Sequence, residues 1–437
     1  MTAATATARS PALERYRQLF DSRPLANDSL TQLRRAALER FLAAGFPTQR
    51  DERWKYTNLR RLESRNFALP EAAPVAPDAS AWLTDVGHRI VFVDGQWMPS
   101  LSNPAAQPPG VTVLTIGQWL KHDADAVARF LSQASSDPQN AFENLNTAFF
   151  EDGVVVEVAP DTRLDEPLYI VHHWQSSGRM AHPRIVVRAG QHSKVTIVEH
   201  YIGAPDMESF TNAVVTIDAN PGAVVKHYRL QQESAKAFHI GTIRARLLQD
   251  ARYSSYDIAL GGSIGRSDIN AILEGHGADA KLRGLFSPTG TQHLDIYTSI
   301  DHLAPHTTSD EEYRGIAAGR GRGVFNGKVK VHPHAQKIDA RQLSRNLLLA
   351  PTAEIDTKPE LEIYANDVKC SHGATTGQLD KTALFYLRSR GIDADEARLM
   401  LIRAFAESIL SSIELKGLRN GLEHWLRDRF TTLEGSR

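Results

Sequence analysis

Residues 190–195, GQHSKV, close a turn and open a short apolar run. The same outline returns as NPGAVV at 220–225, LQDARY at 248–253, GADAKL at 277–282 and HPHAQK at 332–337. Aligned on Ser193, Ala223, Ala251, Ala280 and Ala335, these starts lie 30, 28, 29 and 55 residues apart, the last being about two periods. A recurrence in the twenties to thirties, with one small residue after a turn, is what a β-solenoid shows. No coil can close its own core, so each stacks on the next, and small residues suit the tight turns between stacked strands. On this alignment Ala223, Ala251 and Ala280 are expected at related coil positions. A β-sandwich or another all-β fold is the alternative that the same short strands allow.

Outward from this stretch, the region from about 150 to 370 is a series of short β-rich runs cut by Gly, Asn, Asp and Pro. Examples are Val154–Val158, Leu168–Val171, Arg184–Arg188, Lys194–Val198, Ala213–Ile217, Val224–Tyr228 and Thr242–Leu248. Hardly any of it can hold a long amphipathic helix, which disfavours a βαβ sheet. The two ends read differently. Pro11 starts a helical pattern through Leu13, Tyr16, Leu19 and Phe20, and a second one runs from Leu30 to Phe41 and closes at Gly45 and Pro47. Trp54 and Tyr56 follow, as aromatic anchors to a neighbouring segment. Residues 70–80 read as a linker, Arg89–Val93 as a strand, 116–131 as a helix and 140–150 as a shorter one. After 370, helices are expected over 379–388, from Asp393 along Ala397, Leu401, Ala404, Phe405 and Ile409, and around Leu422, Trp425, Leu426 and Phe430. Asp393, Asp395 and Glu396 would sit at the helix start, where acidic groups meet exposed amides. The resulting division is 1–80 helical with linker, 81–150 mixed, 151–374 β core and 375–437 helical.

Composition narrows the function classes. Of the 437 residues 42% are hydrophobic and 23% charged, enough for a sizeable core and against disorder over most of the length. Fifty Lys and Arg against 51 Asp and Glu leave a net charge of -1, so a polycation wrapping nucleic acid is not expected. No apolar run approaches a membrane span, and the first twenty residues lack a signal-peptide core. The reading is a soluble cytoplasmic protein. One cysteine excludes an intramolecular disulfide and any site that needs several thiolates from this chain alone.

Three places carry candidate chemistry. In Asp367-Val368-Lys369-Cys370-Ser371-His372-Gly373 the thiol and imidazole are two apart, so a strand would turn both to one face. That suits a soft metal or a persulfide, although two ligands leave the site incomplete without another subunit. The alternative is an interior cysteine and a histidine holding a turn. The second place is Asp301, His302, His306, Asp310, Glu311 and Glu312, with His332 and His334 nearby. Such a set fits Fe(II), Zn(II) or Mn(II), or the acid and base of a sugar-cleaving solenoid through Asp301 and Asp310, or simply polar coil turns. The third is glycine-rich: GGSIGR at 261–266 lacks the ending of a phosphate-binding loop, and Gly319–Gly323 lacks the GxGxxG order. Solvated arginines in a tight turn are the reading there.

The run LEIYANDVKCSHGATTGQLD at 361–380, continuing to ALFYLRSRGI at 383–392, closely resembles the SufD branch of the SufB/SufD family of iron–sulfur cluster assembly proteins. Trp54-Lys55-Tyr56-Thr57, HLAPHTTSDEEYRG at 302–315, FNGKVKVHPHAQKIDARQLSRNLLL at 325–349 and AEIDTKPELEIYA at 353–365 extend the resemblance over essentially the whole chain. The resemblance implies a right-handed parallel β-helix flanked by N- and C-terminal helical domains. It implies a noncatalytic subunit that pairs with a SufB-like protein through the β-helix, binds a SufC-like ATPase through the C-terminal domain, and supports cluster assembly and iron acquisition. A homodimer of the isolated chain and a sulfur donor acting from the SufB side belong to the same picture. His372, with Cys370 beside it, would contribute to a site shared with SufB, His372 as an iron ligand. No cofactor would be held tightly by the isolated chain; iron or a nascent cluster would sit at the SufB interface. Neither a membrane nor a specific nucleic acid is expected as a partner.

Overall fold

A computed structural model describes residues 10–70, 75–79, 82–83, 87–103, 109–133 and 137–432. Part of the expected linker at 70–80 lies outside these. Two facing sheets of parallel strands make up the middle of the chain. One runs in the order His88–Val93, Leu168–Trp174, Lys194–Gly203, Val224–Gln232, Arg252–Ala259, Asp279–Phe286, Thr308–Ala317, Ile338–Leu348 and Val368–Gln378. The other runs Gly153–Val158, Arg184–Ala189, Ser209–Ala219, Phe238–Leu247, Ile264–Leu273, His293–His302, Arg322–Val331 and Glu354–Ile363. Successive strands of the chain alternate between the sheets, and each pairs with the strand one coil away. That is a parallel β-solenoid. Its first coils are flanked by two antiparallel additions, Gln96–Trp97 and Val111–Thr115.

Register measures the coil. Lys194 lies beside Val224, then Arg252, Asp279, Thr308, Asp339 and Lys369, steps of 30, 28, 27, 29, 31 and 30 residues. The turn before these strands is a ladder of its own. Asp161, His192, Gly222, Asp250, Gly277, His306 and Lys337 all have positive φ, between 54° and 71°. Each gives its N–H to a carbonyl of the next coil: His192 to Pro221 at 2.9 Å, Asp250 to His276 at 2.9 Å, Lys337 to Asp367 at 2.6 Å. The left-handed bend aims the amide along the solenoid axis, and non-glycine residues accept about 1–2 kcal/mol of strain to take it.

The residue after the ladder enters the core: Ser193, Ala223, Ala251 and then Ala278, not Ala280. Ala280 instead sits beside Tyr253, one pleat further in. The motif GADA places two alanines on the same face of one strand, both fully buried, so size alone does not choose between them. Ala335 is also off the ladder. It closes a longer turn by donating to His332 at 3.0 Å, and Ile338 takes the ladder position.

Helices cover both outer faces of the solenoid short of its last coil. Helices Pro11–Asp21, Ser29–Ala44 and Ala141–Phe149 are capped by Ser10, Asp28 and Asn140. They bury Phe20, Phe41, Phe46, Trp54 and Phe142 with the outward-facing Phe210, Phe238, Ile240 and Ile264 of one sheet. The other sheet turns Tyr228, Tyr256, Leu285 and Ile316 toward Ile402, Ala406, Ile409, Leu418, Leu422 and Leu426 of helices Ala394–Leu410 and Lys416–Thr432. Three helical expectations shift. The expected 116–131 helix is two, Ile116–His122 and Ala124–Gln133, parted at Asp123. The buried stripe of Ala394–Leu410 is Ala397, Ile402, Ala406, Ile409 and Leu410; Leu401 and Phe405 are half-buried and Ala404 is exposed. This helix is apolar over a wide arc, so spacing defines the stripe only to within one residue. Gly417 and Gly421 do not punctuate the last helix but lie inside it, where packing of Leu418 and Leu422 outweighs about 1 kcal/mol per glycine. Among the described residues no helix is long and apolar enough to cross a membrane.

Candidate functional site at the open end of the solenoid

The strands Glu354–Ile363 and Val368–Gln378 are the last of their sheets, so each is hydrogen-bonded on one side and open on the other. An unpaired strand edge is a template for another chain. On Val368–Gln378, Cys370 lies beside Ala340 and His372 beside Gln342. Cys370 is partly buried and packs against the solenoid core together with Ala340 and Ile338. Burial, and next to it the charge of Asp339, pushes its thiol up, so it is protonated at neutral pH. His372 is exposed. It continues an inward-facing column that runs back through Gln342, Glu311, Leu282, Ser255 and His227, and the open last coil is what uncovers it.

The structure does not gather the second candidate set. Asp301 is 3.2 Å from His332 on one sheet, and Asp310 is paired with Arg283 on the other. Buried His302 bonds the Thr307 and Ser309 hydroxyls at 2.7 and 3.0 Å, and desolvation lowers it to about 4, so it is neutral. His306 is a ladder residue whose ring meets His276 at 4.7 Å. Glu312 faces outward, where Arg314 and Ser408 each bond it at 2.8 Å, while Glu311 points into the lumen. His334 is exposed in its turn. Among the described residues no group of three or more His, Cys, Asp or Glu is placed to hold a metal ion.

The glycine-rich candidates are structural as well. Gly319 makes a turn of positive φ and Arg322 is 2.8 Å from Asp356. In 261–266, Arg266 is almost fully buried, pairs with Asp295, and lies 4.0 Å from the Trp54 ring. Thr57 donates to the same Asp295 carboxylate. The Trp54–Thr57 motif therefore clamps the N-terminal region onto the sheet.

Sequence reading missed the interior of the solenoid, which is polar in its middle coils. Glu199 accepts from His227 at 2.6 Å and from the Tyr201 hydroxyl at 2.7 Å. Burial pushes this carboxyl up, but His227, Tyr201 and Arg229 hold it below its ordinary value. Arg229 donates to Asp257 at 2.6 Å and Ser267 at 2.7 Å and meets His239, which is 2.7 Å from Glu233. The signal was charged residues at alternate positions inside otherwise apolar runs, as in Lys226-His227-Tyr228-Arg229, which period alone assigns to the surface.

Two family models match the chain: the SufBD protein N-terminal region over residues 13–170, and the SufBD core domain of the SUF system of FeS cluster assembly over residues 172–405. The chain belongs to the SufBD family. The iron–sulfur cluster assembly protein SufD of Escherichia coli is 33% identical, over 94% of this chain and 95% of that one. A SufBD family protein of Synechocystis is 34% identical over 90% and 89%, and SufD of Bacillus subtilis 24% over 94% and 96%. Iron–sulfur cluster assembly is thus the function of this SufBD chain, and its fold is the helix-flanked parallel solenoid. The two matched segments meet at residues 170–172, inside the strand Leu168–Trp174, so the family boundary does not coincide with a break in the solenoid.

Proposed function

We propose that the chain is the noncatalytic, SufD-type subunit of a cytoplasmic cluster assembly complex, joined to a SufB-like protein along its last coil. The observation that carries this is the open terminal rung with His372 exposed on it and the lone Cys370 tucked beneath. An incomplete ligand set on an open edge is what a site completed by a partner requires. Iron is cargo in this reading: neutral imidazole at His372 is a borderline ligand for it, and the protonated, half-buried thiol of Cys370 is the weaker candidate. A homodimer of the isolated chain would use the same edge, and sulfur would arrive from the SufB side.

The SufC-like ATPase is assigned to the C-terminal helices. Of the large apolar side chains of the tail, expected to divide between internal packing and the ATPase, Ile409 and Phe430 are buried, and Phe405 and Trp425 pack partly against the same cluster. Helix Lys381–Ser389 buries no residue, and its Phe385 and Tyr386 are 74% and 54% exposed. These two are the better anchors. The sugar-cleaving alternative loses its residues, since Asp301 and Asp310 stand on different sheets, each with a basic partner.

The test is reconstitution with SufB- and SufC-like partners under anaerobic conditions, at matched complex concentration and sulfur supply. His372→Ala should leave folding and ATPase binding intact and cut cluster yield severely, whereas Cys370→Ser should be milder. Wild-type yield from the His372→Ala complex rejects the site.

A further inference from the structure

Glu311 stands out among the buried acids of the solenoid. It lies two rungs inside the open end, in the column of Gln342 and His372. Glu199 and Glu233 are each paired with a histidine, yet among the described residues no cation forms an ion pair with Glu311. The Gln342 amide donates to it at 2.7 Å, and the Thr298 hydroxyl approaches from the facing sheet. On its own strand Asp310 is turned outward, where Arg283 neutralises it. Tyr313, two residues along the same strand, is fully buried, and its hydroxyl has no hydrogen-bond partner among the described residues. Asp257 keeps one oxygen unpaired and shares the other with Arg229; Gln342 leaves its own carbonyl unpaired. Glu311 is therefore met by hydrogen-bonding groups, while the Arg283 guanidinium, paired with Asp310, and the Asp310 carboxylate act on it only through space. Burial, with a small push from Asp310, raises its carboxyl to about 7 against the weaker pull of Thr298, Gln342 and Arg283.

We propose that Glu311 and the open end are linked by charge: a divalent cation bound beside His372 expels the Glu311 proton, and a protonated Glu311 weakens that binding. This rests on the reading of His372 as an iron ligand. Two rungs are about 10 Å. At that separation and an effective dielectric near ~50, as at an end open to water, a dication and a carboxylate couple by a factor of roughly ten. The proton passes from the carboxyl to solvent at the open end, and the cation gains one negative charge behind it.

The measurement is ferrous-ion affinity of the full chain, alone and with its SufB-like partner, by anaerobic calorimetry at pH 6 and pH 8. Affinity should rise with pH in the wild type, and Glu311→Gln should remove about tenfold of that rise. Gln342→Met withdraws the bond that favours the carboxylate, so it should move the midpoint of the rise to higher pH. Infrared spectra of each variant, reading the carboxylic-acid stretch that Glu311→Gln deletes, confirm that the folded proteins differ in this proton. Equal pH dependence in wild type and Glu311→Gln overturns the linkage, as does the lack of any ferrous binding in either preparation. Binding that survives His372→Ala with the wild-type pH dependence overturns His372 as the ligand and leaves the linkage standing. Binding lost in His372→Ala, with equal slopes in wild type and Glu311→Gln, does the reverse.

Discussion

His372 and Glu311 share one column of side chains, and their difference comes from position along the solenoid. At the open rung an imidazole meets solvent; two rungs inside, a buried carboxyl meets neutral donors and feels the Arg283 charge only through space. The inner one has a consequence for stability. A carboxyl raised from the unfolded range to about 7 binds its proton more tightly in the native state, so the folded chain holds more protons between about pH 4.5 and 7. Stability then falls as pH climbs through that window and levels off above it. By pH 8 the penalty is on the order of 3 kcal/mol. Glu311→Gln should abolish that part of the slope and leave the variant more stable than wild type above pH 7, in urea melts at pH 5 and pH 8. A variant less stable than wild type at pH 8 would mean that the ionised carboxyl is better solvated inside the lumen than its neighbours suggest.

At the scale of elements, the turn ladder and the exposed helix make separate predictions. Gly222 has φ 69°, and a Cβ there would come within 2.2 Å of the His192 ring on the neighbouring coil. Gly222→Ala should cost about 1–2 kcal/mol from the backbone alone and more if His192 cannot move. Chemical denaturation reads it directly, and a neutral result would show that the ladder tolerates side chains at every rung. Helix Lys381–Ser389 makes the opposite case, because its aromatics are largely exposed and none of its residues is buried. Joint Phe385→Ala and Tyr386→Ala should leave the melting temperature unchanged and weaken capture of the SufC-like ATPase at least tenfold, as exposed aromatic anchors do. Gel filtration with unaltered binding would move the contact elsewhere on the C-terminal helices.

Over the whole molecule, the helical ends are lids on a two-faced solenoid. Helices Ala394–Leu410 and Lys416–Thr432 cover Tyr228, Tyr256, Leu285 and Ile316, and Arg314 fixes them through the Phe405 carbonyl at 2.7 Å. The tail is therefore not a detachable module. Deletion of 393–437 should expose this apolar face and give aggregation, read by light scattering at matched concentration. A monomeric truncated chain with an intact circular dichroism spectrum would show that the sheet face needs no cover.

Much was legible in the residues alone. Local turn chemistry and alternation of apolar positions mark strands at a coil-length spacing, and capping residues mark helix starts, because those preferences act within a few residues of chain. The pairing of Cys370 with His372 on one strand face followed from the same period of two. What the sequence could not decide depends on contacts between coils. Whether Ala278 or Ala280 continues the ladder is settled by the neighbouring coil's register, since both alanines fit. That Asp301 and Asp310 stand apart while Glu311 turns inward follows from which sheet each strand joins. His372 is exposed because no further coil stacks on Val368–Gln378, and the interior polar groups of Glu199, His227, Arg229 and Asp257 are satisfied as mutual partners brought together from different coils. Stacking is a long-range event. It alone decides which face of a strand is core and which strand is the last.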